Sequence, residues 1–305
     1  MKKRSKLLSI LLLIAAISLT VFSACHFNYS TKDLKVLKEK NFTITPGKRL
    51  IVKTSSGDIS ISTWDKPEVY IKILGNERAA RKVDFTFNAT DEFIEMIAEG
   101  DNNFSFFGNN IQLRYEITVP QNFNSKIKTS GGDIHLKDLT GIQSVNTSGG
   151  DVRAYSIVGD LDIHTSGGDI YIKNCKSKNV LKTSGGNIDV RNFSDDLTCS
   201  TSGGDITLFG KDSKIDAHTS GGNIRVNYSG ENRGMDLSSS GGDITIKVPD
   251  NFNASVNFKS SGGDIDNNIK STNVTEISDH KLIADLNNGG NLIRATTSGG
   301  NIRIK

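Results

Sequence analysis

The chain has 305 residues with 30 Gly, 4 Pro and 3 Cys. Three cysteines cannot make a disulfide framework, and twenty of the glycines fall in Gly-Gly pairs flanked by alternating Ile, Val and Leu, which is turn chemistry rather than disorder. The formal charge of +3 owes four basic residues to the first six positions (Lys2, Lys3, Arg4, Lys6); without them it is −1, which excludes a bulk electrostatic footprint for nucleic acid.

Residues 1–24 read as a targeting segment: a basic start, then an apolar run from Leu7 to Val21, shorter than the ~20 residues a membrane span needs. The run ends in Phe22-Ser23-Ala24-Cys25, which resembles the bacterial lipobox, with Phe22 in place of the usual Leu. The resemblance implies that Cys25 becomes the lipidated first residue of a membrane-anchored lipoprotein of the bacterial envelope, in the outer membrane or at the cell surface. Residues 25–41, polar and lysine-rich, read as a tether.

From 42 the apolar residues alternate with period two, the pattern of strands. Thr54 to Ile61 is an imperfect copy of a phrase that recurs later, with Ser56 where the later copies have glycine. Further alternating runs (Val69 to Ile73, Val83 to Phe87, Phe93 to Ala98, Ile111 to Val119) predict an antiparallel β unit over 42–128 that caps the C-terminal region.

The region 129–305 is a repeat. Thr-Ser-Gly-Gly-Asp-Ile at Thr129 returns at Thr147, Thr165, Thr183, Thr201 and Thr219, each 18 residues on; then come Ser239 (20), Ser260 (21) and Thr297 (37). A fixed period of this size predicts stacked coils. Counting each coil from its Thr, position 6 is Ile or Val and positions 8 and 17 are apolar or small, so each coil holds two short strands, at 5–9 and 15–19, joined by a Ser-Gly-Gly corner. The expected fold is an all-β, single-stranded β-solenoid of 18-residue two-strand coils, right-handed by the general preference of parallel crossovers. Polar residues at position 12 (Thr140, Lys176, Ser194) and position 18 (Asn146, His164, Lys182) rule out the hexapeptide helix, and the lack of a second Gly-Gly nine residues on rules out the calcium-binding nonapeptide roll. The phrase Val119-Pro120-Gln121-Asn122-Phe123-Asn124 recurs as Val248-Pro249-Asp250-Asn251-Phe252-Asn253, and each proline is expected to end a strand.

The lipobox, the Ser-Gly-Gly-Asp-Ile corners, Trp64-Asp65 and the Val-Pro strand ends together resemble the bacterial adhesin-like domain family of unknown function, related to the head domains of autotransporter-type adhesins, over residues ~42 to 305. The resemblance implies a fold and no catalytic residues.

Two constellations could carry chemistry. Position 5 is a ladder of Asp and Asn (Asp133, Asp151, Asp169, Asn187, Asp205, Asn223). Free acceptance of Asn favours caps on the corners; the alternative is calcium held by Asp133, Asp151 and Asp169. The outward positions 7 and 9 carry Lys137, Arg153, Tyr155, Tyr171, Lys173, Arg191 and Phe209, a stripe suited to an acidic glycan or an envelope protein. The expected role is adhesin-like binding with no cofactor and no nucleic acid. The runner-up is a structural or regulatory envelope component acting on a membrane partner, and third comes a polysaccharide-active enzyme. The last strand, Asn301 to Lys305, has nothing after it, so it either offers an edge for end-to-end self-association or lies under a lid formed by 260–296. The anchor is directly testable: Cys25→Ala should move the protein from the membrane fraction to the soluble fraction on a fractionation blot, and unchanged membrane retention would remove the anchor.

Overall fold

The computed structural model describes residues 34–44, 47–100, 110–176 and 178–305, so the signal segment, Cys25 and most of the tether lie outside the described residues. Residues Leu34–Lys305 form one compact unit. In chain order its elements begin with β1 (Lys35–Thr43), β2 (Arg49–Thr54), β3 (Asp58–Trp64), β4 (Glu68–Gly75), α1 (Glu77–Lys82), β5 (Val83–Ala89), β6 (Phe93–Gly100) and β7 (Leu113–Pro120). The regular coils come next as pairs: β8 (Asn124–Thr129) and β9 (Ile134–Lys137), β10 (Gln143–Asn146) and β11 (Val152–Tyr155), β12 (Leu161–His164) and β13 (Ile170–Lys173). They continue with β14 (Asn179–Lys182) and β15 (Ile188–Phe193), β16 (Leu197–Thr201) and β17 (Ile206–Lys211), β18 (Ile215–Thr219) and β19 (Ile224–Ser229), β20 (Met235–Ser239) and β21 (Ile244–Lys247). The chain closes with β22 (Ala254–Ser260), β23 (Ile265–Asn267), β24 (Ser271–Ser278), β25 (Lys281–Leu286), β26 (Leu292–Thr297) and β27 (Ile302–Ile304).

Each coil gives one strand to each of two long sheets. Sheet one runs β1-β4-β7-β3-β9-β11-β13-β15-β17-β19-β21-β27-β23, and sheet two runs β24-β25-β22-β26-β20-β18-β16-β14-β12-β10-β8-β2-β6-β5. Consecutive coils pair in parallel at the repeat spacing, as Val152 does with Ile134 and Ile170. The alternating apolar residues face each other across the sheets, and the columns at positions 6, 8 and 17 are fully buried. Each buried aliphatic side chain contributes about 1.5–3 kcal/mol against the entropy of ordering the coil. Position 11 forms a further core column of Leu139, Ile157, Cys175 and Phe193, reached through a left-handed residue at position 10 (Asp138, Ser156, Asn174, Asn192). Position 15 is apolar in only some coils; at Gln143 the polar side chain is satisfied inside, accepting from Ser125 Oγ at 2.5 Å and donating to the Phe123 carbonyl at 2.8 Å.

The corner is held by two ladders that run from coil to coil. The threonine hydroxyl donates backwards and accepts from its own coil: Thr183 Oγ1 donates to the Gly168 carbonyl at 2.9 Å and accepts from the Gly186 N–H at 3.2 Å. The same pair of bonds recurs at Thr201, Thr219, Ser239, Ser260 and Thr297. At position 5, each side-chain Oδ1 accepts the backbone N–H of the position-5 residue in the next coil. The chain of bonds passes from Asp58 through Asp133, Asp151, Asp169, Asn187, Asp205, Asn223, Asp243 and Asn301 to Asp264, at 2.7–3.0 Å. Asp and Asn share the ladder because only a carbonyl-type oxygen is needed.

The two glycines of the corner do different things. From Gly150 onward the second glycine of each regular pair is not in the left-handed region, so backbone freedom is not its reason. A Cβ on Gly186 would overlap the Gly168 carbonyl oxygen and sit 2.8 Å from the Asp169 nitrogen, whereas one on Gly185 would meet nothing closer than 3.7 Å. The second glycine lets two backbones stack. The first is replaceable, as Ser56 in the earliest corner illustrates.

Three expectations are corrected. The unit over 42–128 is an antiparallel cap only in part: β2, β3, β6 and β7 are parallel solenoid strands, and β1, β4 and β5 run antiparallel beyond them at the end of the two sheets. Period-two alternation reports which face is buried, not the direction of the neighbour. The residues from Lys35, assigned to the tether, form β1 on β4. The C-terminal strand offers no edge for self-association, since β27 is paired on one side to β21 and on the other to β23. The chain runs past that level, turns through the antiparallel β24–β25 hairpin, and returns to insert its last coil.

The repeated Val-Pro phrase marks this kind of displacement at both ends. After the first copy the chain passes from β7, outside the β2–β3 coil, to β8 on its other side. After the second copy it passes from β21 to β22 and leaves between them the level that β26 and β27 later fill.

Two substitution pairs test the corner. Gly186→Ala should cost about 3 kcal/mol in urea unfolding by overpacking, while Gly185→Ala should stay within about 0.5 kcal/mol; equal effects would contradict the stacking argument. Asp169→Asn should be near neutral, and Asp169→Ala should cost about 1 kcal/mol by taking the acceptor from the Asn187 N–H, read from the same melts.

Candidate functional site: the outward face of sheet one

Residues two apart on a strand share a face, and the parallel register then stacks these faces coil by coil. His135 and Lys137 (β9), Arg153 and Tyr155 (β11), Tyr171 and Lys173 (β13), Asp189 and Arg191 (β15) and Thr207 and Phe209 (β17) therefore form two adjoining outward columns. All seven residues singled out from the sequence are brought together here. Tyr155 and Tyr171 approach with ring centroids 5.7 Å apart and planes at 49°. The Arg191 guanidinium lies 5.8 Å from the Tyr171 ring and 5.3 Å from that of Phe209, which joins four side chains into one aromatic–guanidinium surface.

The cations of this surface are largely answered within it. Arg153 meets Asp133 Oδ2 at 3.3 Å and Asp151 Oδ2 at 2.8 Å. Arg191 makes a two-pronged bond to Asp189 at 2.9 and 2.8 Å, and this pairing raises its already high pKa. Lys137 lies 3.8 Å from Asp138. Lys173, between Tyr155 and Arg191 in register, is exposed. Burial pushes the Tyr155 hydroxyl up. Burial, with Arg153 alongside, holds His135 below the usual imidazole range.

Between these groups lies a shallow recess of about 410 Å³, lined by Asp151, Arg153, Tyr155, Asp169, Ile170, Tyr171, Asn187 and Asp189. Three carboxylates face one guanidinium in that lining. The expectation of an acidic ligand does not suit this recess, because a further carboxylate would meet Asp151, Asp169 and Asp189.

In the sequence the aspartate ladder and the stripe are separate features. The structure joins them: Oδ1 of Asp133, Asp151 and Asp205 caps the next coil's backbone, while Oδ2 takes an arginine of the stripe's column, Arg153 or Arg225. The signal was present as Asp-x-Arg at Asp151 to Arg153, two residues apart and hence on one face. For Asp205, burial alone would raise the carboxyl, but the Asn223 N–H and Arg225 together hold it below the ordinary carboxylate value. The ladder's Oδ1 atoms are thus occupied by backbone donors at Asp133, Asp151 and Asp169, the positions weighed for calcium. Among the described residues no cluster of three His, Cys, Asp or Glu side chains is arranged to hold a metal ion.

The face of sheet two was not singled out from the sequence. It carries a longer polar groove of about 850 Å³ lined by Lys53, Lys128, His164, Lys182 and the column of corner serines. His164 and His218 each pair with the aspartate two residues earlier, Asp162 (2.8 Å) and Asp216.

Solved structures similar to the chain include a candidate adhesin from Bacteroides fragilis (14% identity, TM-score 0.45, covering 90% of this chain and 98% of that one). A candidate lipid-binding protein from Parabacteroides distasonis is similar at 14% identity and TM-score 0.44, covering 90% and 98%. A candidate cell adhesion protein from Clostridium sporogenes matches at 14% identity and TM-score 0.23, covering 89% and 99%. At these levels the likenesses carry no function across. No curated protein matches the chain. The family model described as Toastrack DUF4097 matches residues 31–305, a span that includes every described residue, and the chain belongs to that family.

Proposed function

We propose that this chain is an adhesin-like binding protein of the bacterial envelope, held at the membrane through Cys25, and that it recognises a hydroxyl-rich, uncharged envelope glycan on the outward face of sheet one. The observation that carries this reading is the Tyr155–Tyr171 pair set beside Asp151, Asp169, Asp189 and Asn187 in one recess. Aromatic faces stack on the apolar faces of sugar rings, and carboxylates and amides beside them bond to hydroxyls. Arg191 keeps Tyr171 and Phe209 in place rather than serving as a free cation.

The state of the thiols disfavours thiolate chemistry. Cys175 and Cys199 are buried; desolvation pushes the Cys175 thiol up to about 11 and the Cys199 thiol up as well, which withholds the reactive thiolate. Among the described residues no helix is long and apolar enough to cross a membrane.

A glycan array probed with the full chain tests the site. Tyr155→Ala and Tyr171→Ala should each lower binding to the best neutral glycan by about tenfold, the equivalent of ~1.4 kcal/mol for a stacked ring, with thermal melts unchanged. Unaltered binding by the double variant, or a preference for acidic glycans, would contradict the proposal.

A further inference from the structure

The last coil of the chain is not the last coil of the solenoid. β26 lies between β20 and β22, and β27 between β21 and β23. Its corner bonds to the level below through Thr297 Oγ1 to the Gly242 carbonyl (2.9 Å) and the Asn301 N–H to Asp243 Oδ1 (2.7 Å). It bonds to the level above through Ser260 Oγ to the Gly300 carbonyl and the Asp264 N–H to Asn301 Oδ1, both 2.8 Å. These are the bonds the coils from Thr165 to Ser239 make with the level below them, so the slot recognises the corner phrase and strand pattern, not the chain that supplies them.

Two features make the occupant exchangeable. The slot is created by the skip at Val248–Asn253, before the residues that fill it in chain order. The occupant's link to the rest, residues 287–291, contains three left-handed positions (Asn287, Gly289 and Gly290, φ 54°, 74° and 152°), and glycines there tolerate other angles when the segment swings out. We propose that the coil Leu292–Lys305 exchanges between copies, so that the slot of one molecule takes the same segment of a second copy and yields a domain-swapped dimer.

Ser238 of β20 and Thr296 of β26 are register partners on the outward face, and adjacent strands at ~4.8 Å are within disulfide reach. In a Cys25→Ala background, full chain carrying Ser238→Cys and full chain carrying Thr296→Cys, each with its own tag, are unfolded, mixed, refolded at rising concentration and oxidised. A cross-link joining the two tags that rises with concentration is expected, while Thr198→Cys, on the same face of β16 but levels away, stays unlinked to Thr296→Cys. The double variant in a single chain must close internally at low concentration. An internally closed double variant with no two-tag product at any concentration would overturn the proposal. So would failure of the double variant to close, or equal linking at Thr198→Cys.

Discussion

The structure depends on how closely two corner backbones can approach. At each Ser-Gly-Gly-Asp turn the second glycine lies against the carbonyl of its counterpart one level down, leaving no room for a Cβ. Close approach at that point brings the threonine hydroxyl onto the glycine carbonyl and the aspartate oxygen onto the next amide. Both sheets then stack in register, and the apolar columns line up as a continuous core. Any corner that cannot close would break both ladders and slip the strands on either side.

Much of this was legible in the sequence because a repeat shows its columns directly. The 18-residue spacing, the buried positions 6, 8 and 17 and the exposed stripe all come from period and alternation. The reason for the glycines did not, since their constraint comes from a neighbouring coil rather than from the local turn. The topology of the ends was also hidden. Strands β2 and β6 alternate in the same way as β5, yet pair in parallel while β5 does not. The duplicated Val-Pro phrase was visible, but its meaning, a skip of one level, needs the sheet order. The 37-residue interval before Thr297 was the trace of the inserted coil, and only one of its two readings, the fold-back of 260–296, matches the pairing of β27.

The candidate site was readable as a set of residues and misread in its electrostatics. Lys and Arg counted along the strand suggest a cationic face. In space Arg153 and Arg191 are spent on Asp133, Asp151 and Asp189, and the recess is left with excess carboxylate. One oxygen of a ladder aspartate secures the fold and the other orients an arginine beside the tyrosines. The scaffold and the proposed binding face therefore share atoms, and the coils can vary outward side chains only where the ladder remains intact.

Native-state hydrogen exchange reads the central constraint most directly. The account predicts that the position-5 amides of Asp169, Asn187, Asp205 and Asn223, although they sit at exposed corners, exchange as slowly as the strand amides of Ile170, Ile188, Ile206 and Ile224 that come after them. Position-5 amides that exchange at the rate of open turns, while the neighbouring strand amides stay protected, would contradict it.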